Sequence, residues 1–243
     1  MVDVWTALQD RRRSNPGAPL VTFVDAQRGD RVELSGTSVE NAAAKIANAL
    51  RDEFDVEVGA AVTARLPLHW QRTAWCAGLW TAGAVIVLDP DAGADLLVVD
   101  ERTALASPPV AHTILAVSLH PFGLPIPGGL PAGVQDATLA VRTQPDAYLF
   151  EPPQAVLEAL RLAGTFLTQD DVWNRAGSLA EQWHLDDGGR LLVTEDVDDL
   201  DAWIACLAVP LVSRGSVVLA VGEQDINRLV DAERVTAIAA PRP

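Results

Sequence analysis

The sequence predicts an α/β protein of two packed lobes, with mainly parallel sheets flanked by helices. Two observations predict it. The runs 84–88 and 96–99 are continuously apolar and rich in Val and Leu, the signature of strands covered on both faces. From Arg190 onward the pattern alternates strand 190–194, helix 200–209, strand 216–220, helix 224–231 and strand 235–239, the order of a parallel sheet with crossover helices.

The first lobe, residues 1–100, opens with a short helix around Val4 and Leu8, stopped by Ser14-Asn15-Pro16-Gly17. Residues 20–25 and 31–34 alternate apolar with polar across Gln27-Arg28-Gly29-Asp30 and predict a β-hairpin. Thr37-Ser38-Val39-Glu40 has the form of a capping box, and Val39, Ala42, Ala43, Ile46, Ala49 and Leu50 follow at helical spacing. Residues 61–66 predict a strand ended by Pro67, and 70–82 a helix apolar on nearly every face, hence buried. Residues 101–146 form a Pro/Gly-rich connecting region with strand-like islands at 113–117 and 138–141. The second lobe, 147–243, starts with a strand candidate at 147–150. Thr168-Gln169-Asp170-Asp171 then caps a helix carrying Trp173, Ala176, Leu179, Ala180 and Trp183 on one face.

Of 243 residues 49% are hydrophobic, and mean hydropathy is +0.16, which excludes a disordered or collagen-like chain. Acidic residues outnumber basic ones 33 to 18, for a net charge of −15. Such a surface repels phosphate backbones and anionic lipid, so neither nucleic acid nor membrane is expected as a partner. Cys76 and Cys206 read as buried small hydrophobes rather than a disulfide framework. The first residues hold Asp3, Asp10 and Arg11-Arg12-Arg13 instead of a signal-peptide core, and the apolar tract 203–221 is broken by Pro210 and Arg214. A cytoplasmic protein is expected. Lys45, the only lysine, lies in the helix after Val39, where a phosphate clamp would not be placed.

No glycine-rich nucleotide loop, nucleophile elbow or zinc-helix motif occurs in the chain. Asp89-x-Asp91-x-Gly93-x-Asp95 imitates a calcium loop, but Ala94 stands where its glycine belongs, and the run reads as a turn between strands. Glu195, Asp196, Asp198, Asp199 and Asp201 read as a solvated helix start. His69, His112, His120 and His184 show no zinc spacing, so no catalytic residue, metal or cofactor is assigned. His120, in Ser118-Leu119-His120-Pro121-Phe122-Gly123, follows a strand-like run, a position where α/β folds place ligand contacts; a histidine bonding its own loop is the alternative. The seven tryptophans, Trp70, Trp75, Trp80, Trp173 and Trp183 among them, read as core.

Several segments together resemble the N-terminal part of the AMP-binding enzymes: acyl-CoA synthetases, nonribosomal adenylation domains and luciferases. The hairpin from Pro19-Leu20-Val21-Thr22-Phe23-Val24-Asp25 through Glu33-Leu34-Ser35-Gly36 is similar to that family's opening hairpin. Residues 41–50 resemble its "R-A-N-R-L-A-R-A-L" helix, and 59–67 its "G-D-R-V-A-l-l-L-P" strand. The fullest match runs from Ala77-Gly78-Leu79-Trp80-Thr81-Ala82-Gly83-Ala84-Val85 to Leu88-Asp89-Pro90, resembling "G-a-l-k-A-G-A-v-y-v-P-l-D-P". Residues 207–219 and 235–241 resemble the family's "l-l-a-G-g-t-v-v-l" and "e-r-v-T-v-l-x-x-v-P".

The resemblance places the family's ATP phosphate loop, "T-S-G-T-T-G-x-P-K-G", after Tyr148-Leu149-Phe150. Glu151-Pro152-Pro153-Gln154-Ala155-Val156 stands there instead. Without glycine or lysine this segment offers neither a nest of backbone N–H groups nor a cation, and Glu151 repels phosphate. The family's "Y-G-x-T-E" region, ribose-binding aspartate and adenylation lysine find no counterpart before Pro243. The resemblance therefore implies a trimmed, non-catalytic relative of the short actinobacterial type, acting as a small-ligand or protein-interaction module, with self-association as a further expectation. An enzyme of reassigned chemistry in the cleft between lobes is the alternative. Ser118, His120, Glu151, Gln154 and Thr165 are the ligand-binding candidates.

Overall fold

The computed structural model describes residues 3–89, 95–106, 111–151, 153–154, 156–194, 197, 199–223 and 225–240. Most of the calcium-like turn (90–94), three members of the acidic cluster (Glu195, Asp196, Asp198), and Pro152 and Ala155 lie outside them.

The first helix, α1 (Val4–Ser14), starts where Asp3 accepts a hydrogen bond from the Thr6 amide, and it buries Val4, Trp5 and Leu8. The hairpin β1 (Pro19–Asp25) and β2 (Asp30–Ser35) follows as expected. Helix α2 (Gly36–Asp52) begins earlier than the Thr37 capping box predicts, because Ser35 accepts the Ser38 amide and so takes the cap. Strand β3 (Ala61–Arg65) leads into α3 (Trp70–Ala82), closed by Gly83 in the left-handed region at φ 79°. Then come β4 (Val85–Val87), β5 (Leu96–Asp100), α4 (Glu101–Ala106), β6 (Thr113–Val117) and β7 (Val134–Asp136).

The island at 138–141 is not a strand but part of α5 (Ala137–Arg142), since Asp136 accepts the Thr138 amide at 2.8 Å and starts a helical turn. Residues 147–150 are not a strand either. The carbonyls of Pro145 and Ala147 accept the Asn48 side chain of α2 at 3.0 and 3.1 Å, and Tyr148 packs on Trp5 at 5.7 Å. A hairpin that the sequence reading missed follows: β8 (Glu158–Leu162) and β9 (Thr165–Thr168), joined by Ala163 and Gly164, both at positive φ. Helix α6 (Gln169–Gln182) has the expected capping box between Thr168 and Asp171.

After β10 (Arg190–Val193), the single helix expected over 200–209 is two, α7 (Asp199–Ala205) and α8 (Ala208–Val212). Pro210 decides this. In a continuous helix its ring would collide with the Cys206 carbonyl, which it could not hydrogen-bond. That carbonyl instead accepts the Thr73 hydroxyl of α3 at 3.0 Å. Strand β11 (Ser216–Val221), helix α9 (Ile226–Glu233) and β12 (Ala237–Ile238) complete the chain.

Among the described residues the strands form two sheets, of order β12-β10-β11-β1-β2 and β7-β6-β5-β3-β4-β8-β9. All pairings are parallel except the edge pairs β1–β2 and β8–β9. The lobe boundaries at 100 and 146 do not separate these sheets: the hairpin of residues 19–35 pairs with strands from the last third of the chain, whereas 61–168 build the larger sheet. One continuous core joins the inner faces of both sheets through α1, α2, α3, α6, α7 and α8. Helix α4 lies on the outer face of the larger sheet, and α9 on that of the smaller. Among the described residues no helix is long and apolar enough to cross a membrane.

The central helices approach most closely at Gly78, where an added Cβ would overlap the Ile46 side chain of α2. Gly78→Ala is therefore expected to destabilise the protein by about 1–2 kcal/mol, overpacking outweighing the better helix propensity of alanine. Urea unfolding measures it, and the penalty of Gly78→Ala should be smaller in an Ile46→Ala background, where the overlapping Cγ2 methyl is gone. Cys76 and Cys206 meet in this layer, fully buried, both thiols directed at the Trp203 carbonyl. Burial pushes the Cys76 thiol well above the usual range.

Candidate functional site

Two cavities open near the carboxyl ends of the large sheet. The first adjoins the point between β3 and β5 where strand order reverses, because β3 leads to β4 on one side while β5 leads to β6 on the other. It is a cleft of about 200 Å³ between the ends of β3 and β4 and the α7 helix that follows β10 of the other sheet. Arg65, Leu66, Arg72, Leu88, Asp199 and Trp203 line it.

Arg72 is 93% buried, from its relative exposure of 7%. Its Nε and Nη2 both donate to the Leu66 carbonyl, at 2.9 and 2.5 Å, and its guanidinium lies 5.3 Å from the Trp203 ring. Burial lowers its pKa, with Asp199 among the charges opposing that shift. Among the described residues no carboxylate stands within ion-pair distance of Arg72. A buried cation beside an indole suits a planar or anionic ligand.

The second cavity, about 270 Å³, lies beyond the end of β6 among α2, α3, α5 and the loop at Gly123. Ile46, Trp70, Trp75, Val117 and Val141 give it apolar walls, and Lys45 and Arg142 also line it. Gly123, at φ 57°, lets its loop close on the Trp70 ring, whose edge would lie 3.2 Å from an added Cβ.

His69 starts α3 beside this chamber. Its Nδ1 accepts the Gln71 amide at 3.2 Å, and its ring stands 4.3 Å from Phe23. Burial, with the charges of Arg28 and Arg102, lowers its pKa from 6.5 to about 3. The unfolded chain therefore takes up a proton below pH 6.5 that the folded protein refuses until about pH 3, so stability falls with pH across that window. In His69→Asn, which keeps an acceptor for the Gln71 amide, the slope between those limits should be shallower by about 1.4 kcal/mol per pH unit. Chemical denaturation at several pH values measures the difference. Glu233 and Asp171, whose pKa values are lowered mainly by hydrogen bonds from Arg31 and Thr168, titrate alike in both proteins and cancel.

The structure divides the sequence-predicted site residues. Ser118 and His120 support the chamber from behind its lining: the Ser118 carbonyl accepts Gln71 Nε2 at 3.3 Å, and His120 Nδ1 accepts the Phe122 amide at 3.1 Å. His120 thus bonds its own loop. Glu151, Gln154 and Thr165 are exposed at the far end of the sheet, with Thr165 in edge strand β9. Five strand spacings separate β6 from β9, about 24 Å, so the two groups do not converge. Arg72, Trp203, Lys45 and Arg142 were not singled out as ligand-binding candidates. The order of strands would have pointed to Arg65 and Leu66 at the switch point, but that order is not visible in the sequence.

No protein-family model matches the chain. An acyl-CoA synthetase from Brucella canis superposes over 100% of this chain and 47% of its own, with a TM-score of 0.78 at 17% identity. MatB from Rhodopseudomonas palustris matches 96% of this chain and 48% of its own, with a TM-score of 0.68 at 18% identity. The nonribosomal peptide synthetase FmoA3, in an AMPPNP-bound form, covers 97% of this chain with a TM-score of 0.67 at 22% identity, over 25% of its own length. The fold is that of the N-terminal domain of the AMP-binding enzymes. A Mycobacterium tuberculosis protein described as a "TIGR03089 family protein" is 41% identical over 140 residues, 55% of this chain and 57% of that protein. The chain thus matches little more than half the length of that relative. The expected α/β architecture and the resemblance to the AMP-binding fold both hold, and the cleft at β3, β4 and α7 lies between the two sheets of that fold.

Proposed function

We propose that this protein is a small-ligand-binding module on the AMP-binding fold that carries out no adenylation of its own. The observation that carries the reading is the cleft of Arg65, Arg72, Asp199 and Trp203 beside the strand switch point, set against a segment after Phe150 with no glycine, lysine or arginine from 151 to 156. The cleft retains a buried cation and an aromatic wall for an anionic ligand. The segment lacks the backbone nest and cation that would hold ATP phosphates for attack. Lys45 does not substitute, because it lines the separate cavity beyond β6 and not the cleft. On the strength of the net charge of −15 we also propose a cytoplasmic location, with neither nucleic acid nor membrane as partner.

The test combines ATP–pyrophosphate exchange with thermal shifts in Mg-ATP, AMP, CoA, a fatty acid and an acyl-adenylate mimic. We expect no exchange, and a saturable shift with an anionic ligand that is weakened in Arg65→Met. A ligand at ~100 times its dissociation constant adds about 2.7 kcal/mol, which is readily seen. Steady exchange with any carboxylate would establish the alternative, an enzyme in the same cleft. A protein-partner form of the reading rests on the exposed Leu149, Val156 and Phe166. A mass independent of concentration in sedimentation would remove self-association from it.

A further inference from the structure

We propose that the chamber among α2, α3 and α5 is a second binding site, distinct from the cleft, for a small amphiphile with an apolar body and a single anionic head. At about 270 Å³ it holds the equivalent of about nine waters, or a ligand body of about ten heavy atoms. Its walls are the indoles of Trp70 and Trp75 with Ile46, Val117 and Val141, so burial of an apolar body against them is favourable.

The polarity of its lining is one-sided. Lys45 and Arg142 contribute the charge, and no carboxylate lines the chamber. In a chain of net charge −15 with a single lysine, that lysine and an arginine stand together here. Among the described residues neither has a carboxylate within ion-pair distance. Lys45 donates one hydrogen bond, to the Gln144 carbonyl, out of the three its ammonium can make, while Glu53 is engaged by the Gln144 side chain at 2.6 Å. Arg142 is exposed at the end of the short α5 helix. An anionic head between the two would form charge-assisted hydrogen bonds at the half-open edge, with the apolar body inside. Phe122, 82% exposed and also lining the chamber, can fold its ring onto the bound ligand. This site does not depend on the reading of the cleft.

The probe is 1-octanesulfonate, with octanol and octylammonium as neutral and cationic controls, followed by calorimetry and tryptophan fluorescence on the whole chain. Ten or so heavy atoms correspond to micromolar to millimolar binding. Octanesulfonate should bind one-to-one and about tenfold tighter than octanol, and octylammonium should not bind. Arg142→Met, at an exposed position, should remove about that tenfold advantage and leave octanol unchanged. Lys45→Met should act likewise. Thr138→Trp, which fills the chamber from the partly exposed α5, should abolish binding of both. Octanoate and octyl phosphate, run alongside, distinguish a carboxylate from a phosphate ester as the preferred head. Absence of saturable binding up to the solubility of the probe, binding of octylammonium as tight as that of octanesulfonate, or unchanged binding in Thr138→Trp would each overturn the proposal.

Discussion

Replacing Trp203 by alanine is expected to cost about 3–5 kcal/mol of stability and to abolish ligand binding in the cleft. Trp203 is 2% exposed and belongs to the single core that joins the two sheets. Its indole faces the cleft and lies beside the Arg72 guanidinium, while its carbonyl receives both buried thiols. Truncation removes the largest fully buried side chain at the junction and leaves a void that the flanking strands, held by parallel pairing, cannot close. It also strips Arg72 of its aromatic neighbour and opens that charge to solvent. Trp203→Phe separates the two effects: most stability should return, while cleft binding stays weakened where the full indole face is needed. Urea unfolding and the thermal-shift series provide the readouts. A loss below about 1 kcal/mol in Trp203→Ala would contradict the packing described here.

Arg175→Met should destabilise by a similar amount, about 3 kcal/mol, for an electrostatic reason. Arg175 of α6 grips Asp201 of α7 through two hydrogen bonds of 2.7 and 2.8 Å, and the Asp201 side chain is only 2% exposed. Removing the guanidinium takes from a buried carboxylate the two charge-assisted hydrogen bonds that Arg175 donates. The carboxylate's place in the first turn of α7 offsets only part of that cost. Removing the charge as well should reverse most of the loss, so Arg175→Met with Asp201→Leu is expected to be far closer to the parent than Arg175→Met alone. Equal stability of the single and double variants would contradict this account, and Asp201→Leu alone completes the cycle that gives the coupling energy. By contrast, the exposed pair Arg214–Asp187, 2.6 Å apart with both side chains more than half exposed, should be nearly silent when broken.

Hydrophobic period and turn chemistry made much of the fold legible. The hairpin at Gly29, the amphipathic helix through Ile46, the buried helix from Trp70, and the strands at 96–100 and 216–221 stand close to where their patterns place them, because each pattern acts over a few neighbouring residues. The misses are also local in cause. Pro210 splits a run that is uniformly apolar, Asp136 turns a strand-like island into a helix, and Ala163-Gly164 makes a hairpin turn without the usual asparagine or aspartate.

The sequence by itself determined the α/β class, the order of most elements, the AMP-binding resemblance and the absence of glycine and lysine from 151 to 156. Tertiary structure alone decided which strands share a sheet, and hence that β1 pairs with β11 across nearly two hundred residues. It also brought Arg72 to Trp203 and Lys45 to Arg142, while leaving Ser118 and His120 far from Thr165. The physical reason is range. Caps, turns and hydrophobic periods are energies between near neighbours in the chain, whereas a cavity is the space left when distant elements pack, and its lining shares no pattern in sequence.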